Sequence, residues 1–200
     1  MMLPKFVTIV AILILLALHA PASAACKQVK AEATIFGIHI GDKNSAVKVI
    51  GTSMQPGLPR EEQDKDAAGI DQSFPYIRFA SRDGRQELKL FIHYGDVVDS
   101  YNEVEVAPVP AGVSKAKRLS VAVFATEHGV KLGIREADLV RLLGACFKRI
   151  DAAGGAHEIQ YAIDDENHPL LKKSGMPSYY AHYRFRAGRL VRIQFGFDYP

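Results

Sequence analysis

The 200-residue chain contains no tryptophan and only two cysteines. Two thiols exclude a disulfide-dense scaffold and a four-cysteine zinc site. A formal net charge of +3 at pH 7 is too small by itself to imply a nucleic acid or an anionic membrane as partner. Apart from residues 6–18, no apolar run approaches the roughly 20 residues that a membrane-spanning helix needs. Phosphate-binding glycine loops and nucleophile elbows are missing too. His157-Glu158-Ile159-Gln160-Tyr161 begins like a zinc-protease motif but has tyrosine where the second histidine ligand must stand. The acidic stretch 164–168 lacks the alternating ligands and glycine of a calcium loop. The sequence therefore supplies no catalytic residue, no cofactor site and no metal site.

What is present begins with an export signal. Lys5 provides a positive start, residues 6–18 form a 13-residue apolar run broken only by Thr8, and Ala22-Ser23-Ala24 offers the small residues a signal peptidase requires. The expectation is a signal peptide over 1–24, cut before Ala25 or before Cys26, and a soluble periplasmic or extracellular protein with no transmembrane segment after cleavage. Ser23 stands where a lipobox has leucine, which makes a lipid anchor at Cys26 the lesser alternative. Exported proteins with two cysteines are commonly oxidised, so a Cys26–Cys146 disulfide is expected; one buried and one exposed thiol is the other possibility. Such a bond closes a loop of 120 positions, a chain-entropy effect of up to about 4–5 kcal/mol.

The 176 residues after position 24 suffice for one domain or for two small units packed together. Hydrophobic content of 48% and charged content of 24% are those of an ordinary globular protein. Charge is uneven: residues 26–110 sum to −3 and residues 111–200 to +5. Two stretches carry the clearest pattern. Residues 132–144 read L-G-I-R-E-A-D-L-V-R-L-L-G, and residues 40–51 read I-G-D-K-N-S-A-V-K-V-I-G. In each, a glycine ends a strand-like lead-in, a short one-sided helix follows, and a second glycine stops it.

Strands are predicted over 33–40, 76–80, 87–94, 97–106, 119–124, 158–163, 179–186 and 189–197, with a long loop over 52–73, turns at 81–85 and 151–155, and another loop over 164–178. Pro108, Pro110 and Gly112 mark a linker. Gly41 to Gly133 spans 92 positions, Gly51 to Gly144 spans 93, and Gly95 to Gly188 spans 93. This recurrence predicts an internal repeat. The expected fold class is α+β: a first unit over 25–110 and a second over 111–200, each a short helix on a three- to four-stranded antiparallel sheet.

Gly133, Ile134, Asp138, Leu139, Leu142, Leu143 and Gly144, with Phe185, Gly188, Leu190 and Val191, form a pattern that resembles the BamE-like (SmpA/OmlA) small outer-membrane lipoproteins. The echo is Gly41, Val47, Ile50 and Gly51, with Gly95, Val97 and Val98. A tandem of such units is similar to the β-lactamase inhibitor protein fold. This resemblance covers most of the chain after residue 24 and implies a protein-binding module, in some members an enzyme inhibitor. The chain departs from the pattern at Cys146 and Ser53, where relatives often carry proline, and at Arg135, which stands in place of a capping Ser or Thr.

Binding candidates cluster near the C-terminus. Tyr179, Tyr180, Tyr183, Arg184, Arg186, Arg189 and Arg192 fall on one predicted hairpin, and Tyr and Arg are enriched at binding hot spots. Alternation sets Tyr183 and Phe185 on one face and His182, Arg184 and Arg186 on the other; the face of Arg192 depends on whether the turn at Ala187-Gly188 has two residues or three. The function expected is an exported protein-interaction module. The alternatives are an inhibitor of an exported hydrolase or protease, and a small envelope enzyme without a recognisable motif.

Overall fold

Alternating side chains and glycine punctuation account for most of the elements in the computed structural model, which describes residues 29–52, 60–61, 76–93, 97–110 and 116–198. The predicted signal peptide over 1–24, Cys26, Gly95, Gly112 and most of the predicted loop over 52–73 lie outside these residues. The chain enters with β1 (Thr34–Ile35) and β2 (Ile38–His39), an antiparallel pair around Phe36 and Gly37, whose φ values of 49° and 80° make a tight two-residue turn. The single strand expected over 33–40 is folded back on itself there. Helix α1 (Lys43–Ile50) follows, then β3 (Arg60–Glu61), β4 (Tyr76–Ala80), β5 (Gln86–Phe91) and β6 (Glu103–Pro108).

The strand predicted over 97–106 starts late. Val97 and Val98 are exposed in a turn, closed by the Ser100 N–H donating to the Val97 carbonyl and by Asp99 at a φ of 67°. Residues 119–124 form no strand; β7 (Lys117–Arg118) precedes them. Then come α2 (Glu136–Leu143), β8 (Lys148–Ala152), a 3-10 turn over Ala153–Gly155, β9 (Ala156–Ile163), α3 (Pro169–Ser174), β10 (Ser178–Arg186) and β11 (Arg189–Asp198). Helix α3 occupies the predicted loop over 164–178. It starts with proline at its first turn, where no intrahelical N–H bond is lost, and is closed by Gly175 at a φ of 70°.

Strand accounts for 42% of the described residues and helix for 18%. The expected pair of tandem helix-on-sheet units is not what forms. One sheet runs β3-β4-β5-β6-β11-β10-β9-β8, with β7 pairing parallel to β4, and β1-β2 stands apart. Strands β6 and β11, one from each expected unit, pair with each other from Glu103↔Gly196 to Val106↔Ile193, so their backbone groups satisfy one another in a single sheet.

The core is likewise one cluster. It joins Ile77, Phe79, Leu88, Leu90, Val104 and Val106 from β4–β6 with Ile159, Tyr161, Tyr183, Phe185, Ile193 and Phe195 from β9–β11. Ala46 and Ile50 of α1, Leu139 and Leu143 of α2, and Leu171 of α3 bury against this same cluster. All three helices thus cover one face of the sheet, and no described helix covers the other.

Candidate protein-docking face

The face away from the helices is written by the alternate positions of each strand; on its β4–β6 half most of these positions are buried, and on β8–β11 most are half-buried or exposed. Following the strand register, one row crosses seven strands as Arg78, Lys89, Glu105, Gln194, His182, Gln160 and Lys148. The flanking rows add Glu87, Arg192, Arg184 and Glu158 on one side and Glu103 and Tyr180 on the other. These side chains form a chain of alternating sign. Arg78 meets Glu87 at 3.7 Å, Glu87 meets Lys89 at 3.7 Å, Lys89 meets Glu105 at 2.8 Å, Glu105 meets Arg192 at 3.8 Å and Arg192 meets Glu158 at 3.9 Å.

Burial makes this matching necessary, because an unpaired charge with little access to water is costly. Glu87 is only 2% exposed and Glu105 6%. Burial pulls the Lys89 ammonium down, yet Glu105 and Glu87 outweigh it and hold its pKa above the ordinary value. Burial lowers His182, with Arg192 acting in the same direction against Glu158, which favours the neutral imidazole near pH 7. Further along, Gln194 donates to Glu103 at 2.6 Å and Glu103 lies 3.0 Å from His93 Nε2. Tyr180 sits beside Glu103, and its hydroxyl is raised far above its ordinary pKa by burial and by that carboxylate.

The seven predicted binding residues separate. Tyr179 and Tyr183 point into the core, 1% and 0% exposed, so they hold the sheet and present nothing to a partner. Tyr180, Arg184, Arg186 and Arg192 share the face away from the helices. The turn has two residues, Ala187 and Gly188, at φ values of 49° and 71°, and a bulge between Arg184 and Phe185 sets Arg192 directly opposite Arg184. Arg189 turns away and donates to the Gly133 carbonyl at 3.1 Å. Arg184 and Arg186 are exposed and have no ion-pair partner among the described residues.

Sequence reading missed Glu87, Lys89, Glu105, Glu158 and Gln194. The E-L-K-L run from Glu87 and the E-V-E-V run from Glu103 carry the period of two that places these charges on one face. Only register, which no single strand contains, shows that they alternate across strands.

Other groups are explained by structure. His157, at the start of the zinc-protease-like run, lies 2.7 Å from Glu136 and stacks on Phe185, tying β9 to α2. His168 caps α3 by accepting the Leu170 N–H at 3.3 Å. Glu32, Glu127 and His128 bring ligand atoms within 4.8 Å of one another. Their oxygens are already engaged: Glu32 accepts from the Thr126 hydroxyl at 2.6 Å and lies 3.0 Å from His128 Nδ1, and Glu127 accepts from the Ala33 N–H at 2.6 Å. This trio staples the N-terminal segment to the 126–130 turn. The Tyr179 hydroxyl reinforces it by donating to the Glu32 carbonyl at 2.8 Å and accepting the Glu32 N–H at 3.0 Å. Near the other end of the sheet, Arg78, Ala80, Gly84, Glu87, Val109, Ala116 and Arg118 bound a cavity of about 250 Å3, with no histidine among the described residues that line it.

No family model matches this chain, and neither a curated protein nor a solved structure matches it.

Proposed function

We propose that this chain is an exported protein-interaction module that docks an acidic region of a protein partner on the exposed end of the sheet face away from the helices, at Arg184 and Arg186. The observation that carries this reading is a contrast in charge pairing. From Arg78 to Glu158 the charges are matched neighbour to neighbour, whereas Arg184 and Arg186 stand exposed and unmatched beside them. Guanidinium groups offer five donors in a planar fork suited to carboxylates. The resemblance to BamE-like proteins points the same way. Reversing both charges, Arg184→Glu with Arg186→Glu, abolishes capture of the partner from an envelope extract while leaving the circular dichroism spectrum unchanged; undiminished capture removes this surface from consideration. Capture by the unaltered protein also weakens with added salt, as exposed charges require.

The export reading carries a disulfide proposal with it. Cys146 is not a free thiol, and the Lys30 N–H donates to the Leu143 carbonyl at 3.4 Å, which brings the N-terminal segment to the end of α2. A Cys26–Cys146 bond would fasten it there. Mass measurement of the exported protein with and without reductant tests cleavage, lipidation and the disulfide together; a lipid-sized mass increment, or a reduced pair in the untreated protein, overturns the corresponding part.

A further inference from the structure

Strand β8 ends the sheet. All five of its residues, Lys148-Arg149-Ile150-Asp151-Ala152, are exposed, and among the described residues nothing pairs its outer edge. Ile150 is one of the few large apolar side chains in the described chain left more than a third exposed. Natural sheets usually protect such an edge with charge, since an open row of N–H and C=O groups recruits other strands. Here the order of charges works differently. Laid antiparallel on a copy of itself and centred on Ile150, the segment sets Arg149 opposite Asp151 twice, Ile150 against Ile150 and Lys148 opposite Ala152. Unlike charges meet at both ionic positions and like charges meet nowhere. Cross-strand pairs of this kind are the stabilising unit of a sheet.

We propose that β8 is a self-association edge that takes the β8 strand of a second copy of this chain, continuing the sheet across a twofold axis through Ile150. Within one copy Arg149 pairs with Glu136 at 2.8 Å and with Asp151 of its own strand at 3.3 Å, so its side chain is already held in place on β8. Because the twofold axis stands perpendicular to the sheet, both copies keep their helix-free faces on the same side. Five-residue edges bury little area, so the dimer is weak and depends on concentration. The inference does not rest on the docking function proposed above, and its test does not use that surface.

Sedimentation velocity of the purified chain at rising concentration should show a shift from monomer to dimer. Arg149→Asp alone and Asp151→Arg alone should each remain monomeric, because each sets like charges opposite at both ionic positions. An equimolar mixture of the two variants restores unlike charges at both positions and should recover the dimer. In the wild-type chain, amide exchange at 148–152 should slow as concentration rises. A chain that stays monomeric throughout, a dimer unaffected by either variant, or exchange at β8 independent of concentration would each overturn the proposal.

Discussion

Helix α1 starts from a side-chain cap, with the Asp42 carboxylate accepting the Asn44 N–H at 2.9 Å, whereas α2 starts at Arg135, which caps nothing. Their far ends match. Gly51 at φ 80°, ψ −174° and Gly144 at φ 99°, ψ 171° each donate an N–H to the residue four back, Val47 and Val140. Their buried positions also correspond, 93 residues apart: Ala46 and Ile50 in α1, Leu139 and Leu143 in α2. The difference teaches where each helix gets its stability. Helix α1 combines a good cap with a small buried residue. Helix α2 lacks the cap but buries a leucine in place of the alanine, and has Glu136 and Asp138 near the positive end of its dipole.

The largest expected effect comes from removing that leucine. Leu139→Ala should cost about 2–5 kcal/mol in denaturant unfolding, since it leaves a cavity in a fully buried site, while Ala46→Gly at the equivalent position of α1 should cost about 1 kcal/mol. Equal losses would mean that the two helices share the core evenly. Next come the stops. A positive φ with ψ near 180° is tolerated essentially by glycine alone, so Gly51→Ala and Gly144→Ala should each lower stability by about 1–3 kcal/mol in the same assay. A loss at only one of them would break the likeness of the helix ends.

Caps should give smaller effects of opposite sign. Asp42→Ala should destabilise by about 0.5–2 kcal/mol, whereas Arg135→Asp, which supplies the missing cap, should raise the melting temperature. The last test concerns the turn leading to α2. Burial raises the Glu32 carboxyl above its ordinary 4.5, against the opposing hydrogen bonds from Thr126 and His128. A raised carboxyl pKa means that the folded state binds its proton more tightly than the unfolded state. The contribution of Glu32 to stability is therefore greatest at low pH and declines as pH rises from 4.5 through the folded pKa. Melting temperatures of the wild-type chain and of Glu32→Gln should diverge progressively over that window; a constant difference would remove Glu32 as the titrating group.

Much of this was legible in the sequence. The glycine-bounded helices, β4, and the strands of the last hairpin follow from period and punctuation alone, because those signals are local. The alternation that places Tyr183 inward and Arg184 outward was readable for the same reason. What escaped was decided between segments. Pairing of β6 with β11 depends on two strands far apart in sequence, and nothing within 103–108 or 189–198 announces it. The same holds for the matching of Glu87 and Lys89 with Arg78, Glu105 and Arg192, which lie on three other strands. Helix α3 escaped because six residues carry too little periodicity to distinguish a helix from a polar loop.

Gly196 lies where β11 meets β6, opposite Glu103. A Cβ built there would stand 2.7 Å from the Asn102 carbonyl oxygen and 2.9 Å from the Glu103 Cα, both backbone atoms that cannot swing aside. The joint between the β3–β6 and β8–β11 halves of the sheet therefore tolerates no side chain at that point. In the vocabulary of protein engineering, Gly196 is a control point for sheet continuity: a methyl group placed there acts on the β6–β11 ladder, which among the described residues joins the two strand sets edge to edge, while leaving the sequence of every helix untouched.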